Sequence, residues 1–213
     1  MKKITKYIKF DLSFVIVLIF SLFTSSFMMI IFTTLIILIH EMFHLLSGLV
    51  FKIKPKQLTI TALGGIIELP LYKLSPIKKV IVSISGIISN IIIIIILYIF
   101  KNHDNFFINT YYDLLLKYNY SLIFFSLLPI YPLDGYNILQ GIIEKLAKQK
   151  LYKGLDISRI ISFISILILF MGTLFYRNIG FLIIIIFLIY KNIVLFKRKD
   201  YIYLQIYQRY LTT

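Results

Sequence analysis

The chain has 213 residues, of which 60% are hydrophobic and only 15% charged, with a mean hydropathy of +0.91. A soluble domain is about 45–50% apolar and about 25% charged. That composition excludes a water-soluble globule, a disordered chain and a nucleic-acid-binding domain, so the net charge of +14 is read from the position of the charges rather than from their sum. Cysteine is absent, which removes disulfides, thiolate metal sites and thiol nucleophiles. The class indicated is an integral membrane protein.

Taken in chain order, Lys2, Lys3, Lys6 and Lys9 precede the first apolar stretch. No A-x-A cleavage site follows and a second apolar segment begins at once, so the stretch reads as an anchor and not as a signal peptide. A span needs about 20 apolar residues. The run from Leu12 to Phe51, broken at its most polar point, Thr24-Ser25-Ser26, makes two spans, roughly Phe10–Phe23 and Phe27–Val50. The segment Gln57–Leu71 is β-branched, carries Gly64-Gly65 at its centre and is too short to cross as a helix; it reads as a β-hairpin or re-entrant loop. Further spans follow at Val80–Phe100, about Leu114–Ile130, Ile157–Phe175 and Ile179–Phe196, with a short tail, Lys197–Thr213. The fold class expected is an all-α polytopic membrane protein of six transmembrane helices with a small cytoplasmic-side β-hairpin or re-entrant loop after the second. It forms one membrane-embedded domain over residues 1–213.

The basic residues support this count. With six spans and both ends inside, twenty lysines and arginines fall on one side and only Lys101, Lys117 and Arg177 on the other. The positive-inside rule then makes the rich side cytoplasmic and places the protein in the cell membrane with both termini in the cytoplasm.

Within the second span, His40-Glu41-Met42-Phe43-His44 fits H-E-x-x-H. Residues four apart on a helix differ by about 40° around the axis and 6 Å along it, so both imidazoles face one way and can hold one zinc ion. Glu41 stands beside them, placed to take a proton from an attacking water. Chance, or two histidines satisfied in a bundle, is the bland alternative. Ionisable groups cost roughly 2.5–3.5 kcal/mol or more each at membrane depth, which argues against unused ones. The third histidine, His103, reads as a solvated loop residue near Asp104.

A catalytic zinc takes three protein ligands and keeps one position open. Asp134 is the favoured third ligand, because Pro129, Pro132 and Gly135 break the fourth helix around it on the same side as His44. Such irregular backbone survives at membrane depth only around a site or cavity. Glu144, among lysines, is the runner-up, and Asp134 as a plain helix cap is the bland reading.

These residues together resemble the site-2 protease family of intramembrane zinc metalloproteases. The resemblance rests on His40–His44, on Pro132-Leu133-Asp134-Gly135 and on Ser85-Gly86-Ile87-Ile88-Ser89-Asn90. Within that family the chain is most similar to the stage IV sporulation protein FB group. The resemblance implies His40, His44 and Asp134 as ligands of one Zn2+ per chain, Glu41 as catalytic base, and Asn90 with Gly64 and Gly65 as holders of an extended substrate strand. Asn90 gluing helices together is the plainer alternative. The chain departs from the family pattern at Ile87 (commonly proline), Ser126 (commonly asparagine) and Tyr136 (often glycine). The tail, Lys197–Thr213, supports no regulatory CBS domain.

The function expected is intramembrane zinc-dependent endoproteolysis near the cytoplasmic face. The substrate class is a membrane-embedded or membrane-tethered regulatory protein, with a sporulation pro-sigma factor among the candidates the resemblance implies. The partners expected are that substrate, the lipid bilayer and inhibitory membrane proteins, with no nucleic acid. The competing readings are a membrane transporter or metal carrier using the same cluster, and a catalytically inactive scaffold of the same fold.

Overall fold

A computed structural model describes residues 8–12, 19, 27–55, 58–61, 64–67, 69–101, 106–147, 151–176, 179–197 and 199–211. Most of the expected first span, together with His103 and Glu68, lies outside the described residues. The chain divides into two compact units, one of residues Met1–Pro70 and Ile84–Phe124, the other of Leu71–Ser83 and Phe125–Thr213.

The first unit holds a three-stranded sheet of β1 (Ile8–Phe10), β2 (Leu58–Thr61) and β3 (Gly64–Ile67), in that order. β1 runs parallel to β2, with Phe10 opposite Ile60, and β2 runs antiparallel to β3, with Thr61 opposite Gly64 and Ile60 opposite Gly65. Phe10, expected to open a span, therefore ends a strand instead. Its backbone is used in a sheet ladder, which a helix start could not allow.

Helix α1 (Phe27–Val50) packs against β3. Its 24 residues extend about 36 Å, enough for the roughly 30 Å hydrocarbon core. Its buried residues, Ile36, His40, His44 and Gly48, recur every fourth position and so form one inward stripe. The helix stops in a Schellman motif. Lys52 takes φ 61°, its N–H bonds to the Leu49 carbonyl at 2.8 Å, and the Ile53 N–H bonds to the Gly48 carbonyl at 2.9 Å.

Helix α2 (Pro76–Phe100) begins four residues before the expected Val80, because Pro76 is well suited to a first helical position, where its missing N–H costs nothing. Helix α3 runs Phe106–Leu127, where Leu114–Ile130 is expected. It starts earlier in the chain and stops at Leu127, since Pro129 removes a backbone donor and cannot continue it.

In the second unit a short helix α4 (Asp134–Leu146) is followed by α5 (Leu151–Tyr176), α6 (Ile179–Lys197) and α7 (Lys199–Leu211). The tail is thus a helix. Ile130, Ile166, Ile185 and Leu188 make one buried apolar cluster of this unit, and Leu155, Tyr203 and Ile206 a second, which seats α7. Among the described residues three helical segments, Phe27–Val50, Pro76–Phe100 and Tyr152–Thr173, are long and apolar enough to cross a membrane.

The face of α4 turned inward is polar. Glu144 is wholly buried, with one carboxylate oxygen 3.0 Å from Lys79 Nζ and the other 2.8 Å from Arg209 Nη2. Lys79 also donates to Gln140, and Arg209 donates to the carbonyls of Tyr72 and Leu74. Glu144 is therefore the centre of an ion triad that ties α7 to α4 and α2. Removing one partner of a buried pair strands a charge, at about 3–5 kcal/mol. Arg209→Met is expected to lower stability by about that much, whereas the joint replacement Lys79→Met, Glu144→Leu, Arg209→Met should lie nearer the wild type. Thermal and denaturant melts of the detergent-solubilised protein measure both.

Candidate metal centre

The two histidines of α1 face each other across one helical turn. Their Nε2 atoms are 3.2 Å apart and their rings stand edge to face, with centroids 4.8 Å apart. Both are buried, at 3% and 6% exposure. Two ring nitrogens this close need a proton or a cation between their lone pairs. A tetrahedron with zinc–nitrogen bonds of about 2.0–2.1 Å has an edge of roughly 3.3 Å, so the pair matches two corners of such a site.

The other ring nitrogens are held. His40 Nδ1 lies 2.6 Å from Asn90 Oδ1, and Asn90 Nδ2 donates to Asn119 Oδ1 at 2.9 Å. Asn90 and Asn119 are wholly buried. His44 Nδ1 has Ser85 Oγ at 3.4 Å, and Ser85 in turn meets Ser47 Oγ at 2.8 Å, while Ser47 donates to the His44 carbonyl at 3.0 Å. An oxygen on Nδ1 leaves Nε2 as the coordinating atom, the usual support for a metal-bound imidazole.

Gly86 makes room for the pair. A Cβ there would fall 2.4 Å from His44 Nε2 and 2.7 Å from His40 Cε1, so the bare backbone of α2 forms the wall against which the imidazoles rest. Glu41, half-buried, follows His40 directly. Gly64 and Gly65 lie in β3, the outer strand in the sheet order and the strand that packs on α1.

Asp134 belongs to the second unit, where it opens α4 and is half-buried. A carboxylate in a first turn meets the positive end of the helix dipole. The backbone before it leaves the helical path through successive short bonds, from Ile130 N–H to the Leu128 carbonyl and from Leu133 N–H to the Ile130 carbonyl, both 2.7 Å. Tyr131 would be left with unpaired backbone groups in this stretch, and side chains of α5 and α6 supply the partners. Asn192 Nδ2 donates to the Tyr131 carbonyl at 2.7 Å, the Tyr131 N–H donates to Ser162 Oγ at 3.1 Å, and Ser162 donates to Asn192 Oδ1 at 2.7 Å. Gly135 lets the turn close, since a Cβ there would meet the Leu127 carbonyl at 2.2 Å. Glu144, the runner-up ligand, has both oxygens committed to Lys79 and Arg209.

Two of the departures from the family pattern are accommodated. Ile87 is buried in α2, and Tyr136 is buried in α4, with its ring edge-on to Tyr131 at 5.5 Å. Gly86, Asn119, Ser162 and Asn192 were not marked as site residues by sequence reasoning. A glycine within the β-branched α2, and asparagines within α3 and α6, were the signals that could have drawn attention to them.

No protein-family model matches the chain, and no curated protein matches it. Among solved structures it is similar to a site-2 protease from Methanocaldococcus jannaschii, with a TM-score of 0.64 and 22% identity over 87% of this chain and 88% of that one. The likeness is one of fold: the chain has the helical architecture of a site-2 protease.

Gly86→Ala tests the wall. With a methyl group driven into the two imidazoles, zinc affinity is expected to fall about 10–100-fold, as for loss of support around a ligand, with helix content by circular dichroism unchanged. Equal zinc affinity in the variant would contradict the packing.

Proposed function

We propose that the protein is an intramembrane zinc metalloendopeptidase that cuts a membrane-embedded or membrane-tethered regulatory protein near the cytoplasmic face. The observation that carries this reading is the 3.2 Å approach of His40 and His44 Nε2 against Gly86, on a membrane-length apolar helix that also bears Glu41. The site-2 protease fold agrees with it. The chain acts as one membrane-embedded domain of six spans, with both termini in the cytoplasm as the distribution of basic residues requires.

His40, His44 and Asp134 each offer one ligand atom of the kind zinc takes, and they are the set proposed to hold one ion. Asp134 is chosen over Glu144 because the latter is neutralised by Lys79 and Arg209. The ion, when bound, would acidify a water and polarise a peptide carbonyl. Glu41 accepts the proton from the attacking water and delivers it to the leaving amine, the ordinary double duty of a carboxylate base. A transmembrane substrate must unwind before its amide can be attacked. The outer strand β3, with Gly64 and Gly65 and no bulky side chain at either position, offers backbone groups to the unwound segment by strand addition. The resemblance to the stage IV sporulation protein FB group makes a sporulation pro-sigma factor the first substrate to try.

Glu41→Gln is expected to reduce cleavage of a co-expressed substrate by at least about 10²–10⁴-fold, the worth of a general base, while the purified variant keeps its zinc. Normal cleavage by zinc-loaded Glu41→Gln protein would defeat the mechanism. In the same assay Asp134→Asn should lower bound zinc and Glu144→Gln should not; the reverse pattern would transfer the third-ligand role to Glu144.

A further inference from the structure

We propose that Asn119, on α3, is a positioning residue for the metal centre: through Asn90 it imposes on His40 the tautomer whose Nε2 lone pair is available to a cation. The inference rests on the zinc reading above, and adds to it a residue that stands outside the family motifs.

The argument is one of hydrogen-bond polarity. Asn119 Nδ2 lies 2.8 Å from the Leu115 carbonyl, one turn back on the same helix. A carbonyl oxygen only accepts, so Asn119 must present its NH2 to Leu115 and its Oδ1 to the opposite side. There it meets Asn90 at 2.9 Å, and an amide oxygen also only accepts, so Asn90 must present its NH2 to Asn119. That leaves Asn90 Oδ1 for His40, at 2.6 Å from Nδ1. A third acceptor forces Nδ1 to carry the proton, and a neutral imidazole protonated at Nδ1 has its lone pair at Nε2. The chain of three amides thus fixes the direction of every bond from a helix carbonyl to the ring. The Asn90–His40 contact taken alone allows either direction: an Asn90 amide turned by 180° would bond Nδ1 equally well through its NH2. It would then select the opposite tautomer, which places a proton where the cation belongs. All of these side chains lie in the first unit, and both asparagines are closed to solvent, so no water competes for their orientation.

A carboxylate at position 90 has two accepting oxygens and no wrong orientation. In that background the relay has nothing left to specify, which separates polarity from packing. Zn2+ affinity is measured by competition with a chromophoric chelator on the full-length protein in detergent, alongside thermal melts. Asn119→Leu is expected to weaken zinc binding about 5–10-fold, at or just below the range for losing a group that holds a metal-bound histidine. Asn90→Asp should remain within about threefold of wild type, because a carboxylate is itself an ordinary partner of a metal-bound histidine. Asn119→Leu added to Asn90→Asp should change the affinity less than about twofold, since a carboxylate accepts from His40 Nδ1 whichever group stands at position 119. Wild-type affinity in Asn119→Leu, or the same loss in both backgrounds, would overturn the proposal. A second measurement needs no variant. In zinc-free wild-type protein labelled with 15N-histidine, His40 should show a protonated Nδ1 and a bare Nε2, and the opposite tautomer would overturn the relay. Wild-type protein that binds no zinc would defeat the zinc reading, while the ring-nitrogen spectrum still decides the relay by itself.

Discussion

Two imidazole nitrogens 3.2 Å apart, inside an apolar helix bundle, are the constraint on which the first unit turns. Their lone pairs repel unless something positive lies between them, and both rings are buried. The surroundings answer that demand from three directions. Gly86 brings a bare backbone up to the rings, Asn90 occupies Nδ1 of one, and Ser85 stands at Nδ1 of the other. The two Nδ1 contacts leave the Nε2 atoms facing each other. Both rings are thus oriented by groups outside the pair, as the supports of metal-bound imidazoles are.

The second unit meets a related problem with different means. A broken backbone and an ionised side chain are both expensive away from water, because an unsatisfied polar group has no solvent to turn to. The break before Asp134 is paid for by Ser162 and Asn192, which together satisfy both backbone groups of Tyr131. Glu144 is paired with two cations 65 positions away on either side in sequence, Lys79 and Arg209. The tail helix owes its place to that triad and to the burial of Tyr203 and Ile206. What reads in the sequence as a short basic tail is therefore a helix that buries Tyr203 and Ile206 in the unit.

The shared fold with a site-2 protease covers most of both chains at only 22% identity. Tyr136, where the family that the sequence resembles often has glycine, lays its ring against Tyr131 within the same unit. Proline is likewise commonly found at the position of Ile87, which packs as an ordinary buried residue of α2.

Much was legible in the chain itself. Apolar runs of 20 residues or more announce spanning helices, and the i, i+4 spacing of His40 and His44 puts both rings on one side of such a helix, because the α-helical period is a local property of the backbone. The proline-flanked Asp134 and the glycine-centred segment after the second span are local signals of the same kind. Other features depend on residues far apart in sequence. Phe10 pairs with Ile60, Glu144 with Lys79 and Arg209, and Asn90 with His40 and Asn119. No window of neighbouring residues contains these pairs, and an asparagine in α3 does not by itself name the group it meets. The sequence by itself determined which solvent the chain lives in, where its most apolar helices lie and which side chains can carry the chemistry, since hydropathy and helical period are written residue by residue. Only the tertiary structure decided which way each buried amide points and which carboxylate is already spent, because a hydrogen bond's direction and an ion's neutralisation are settled by whichever group packing brings opposite.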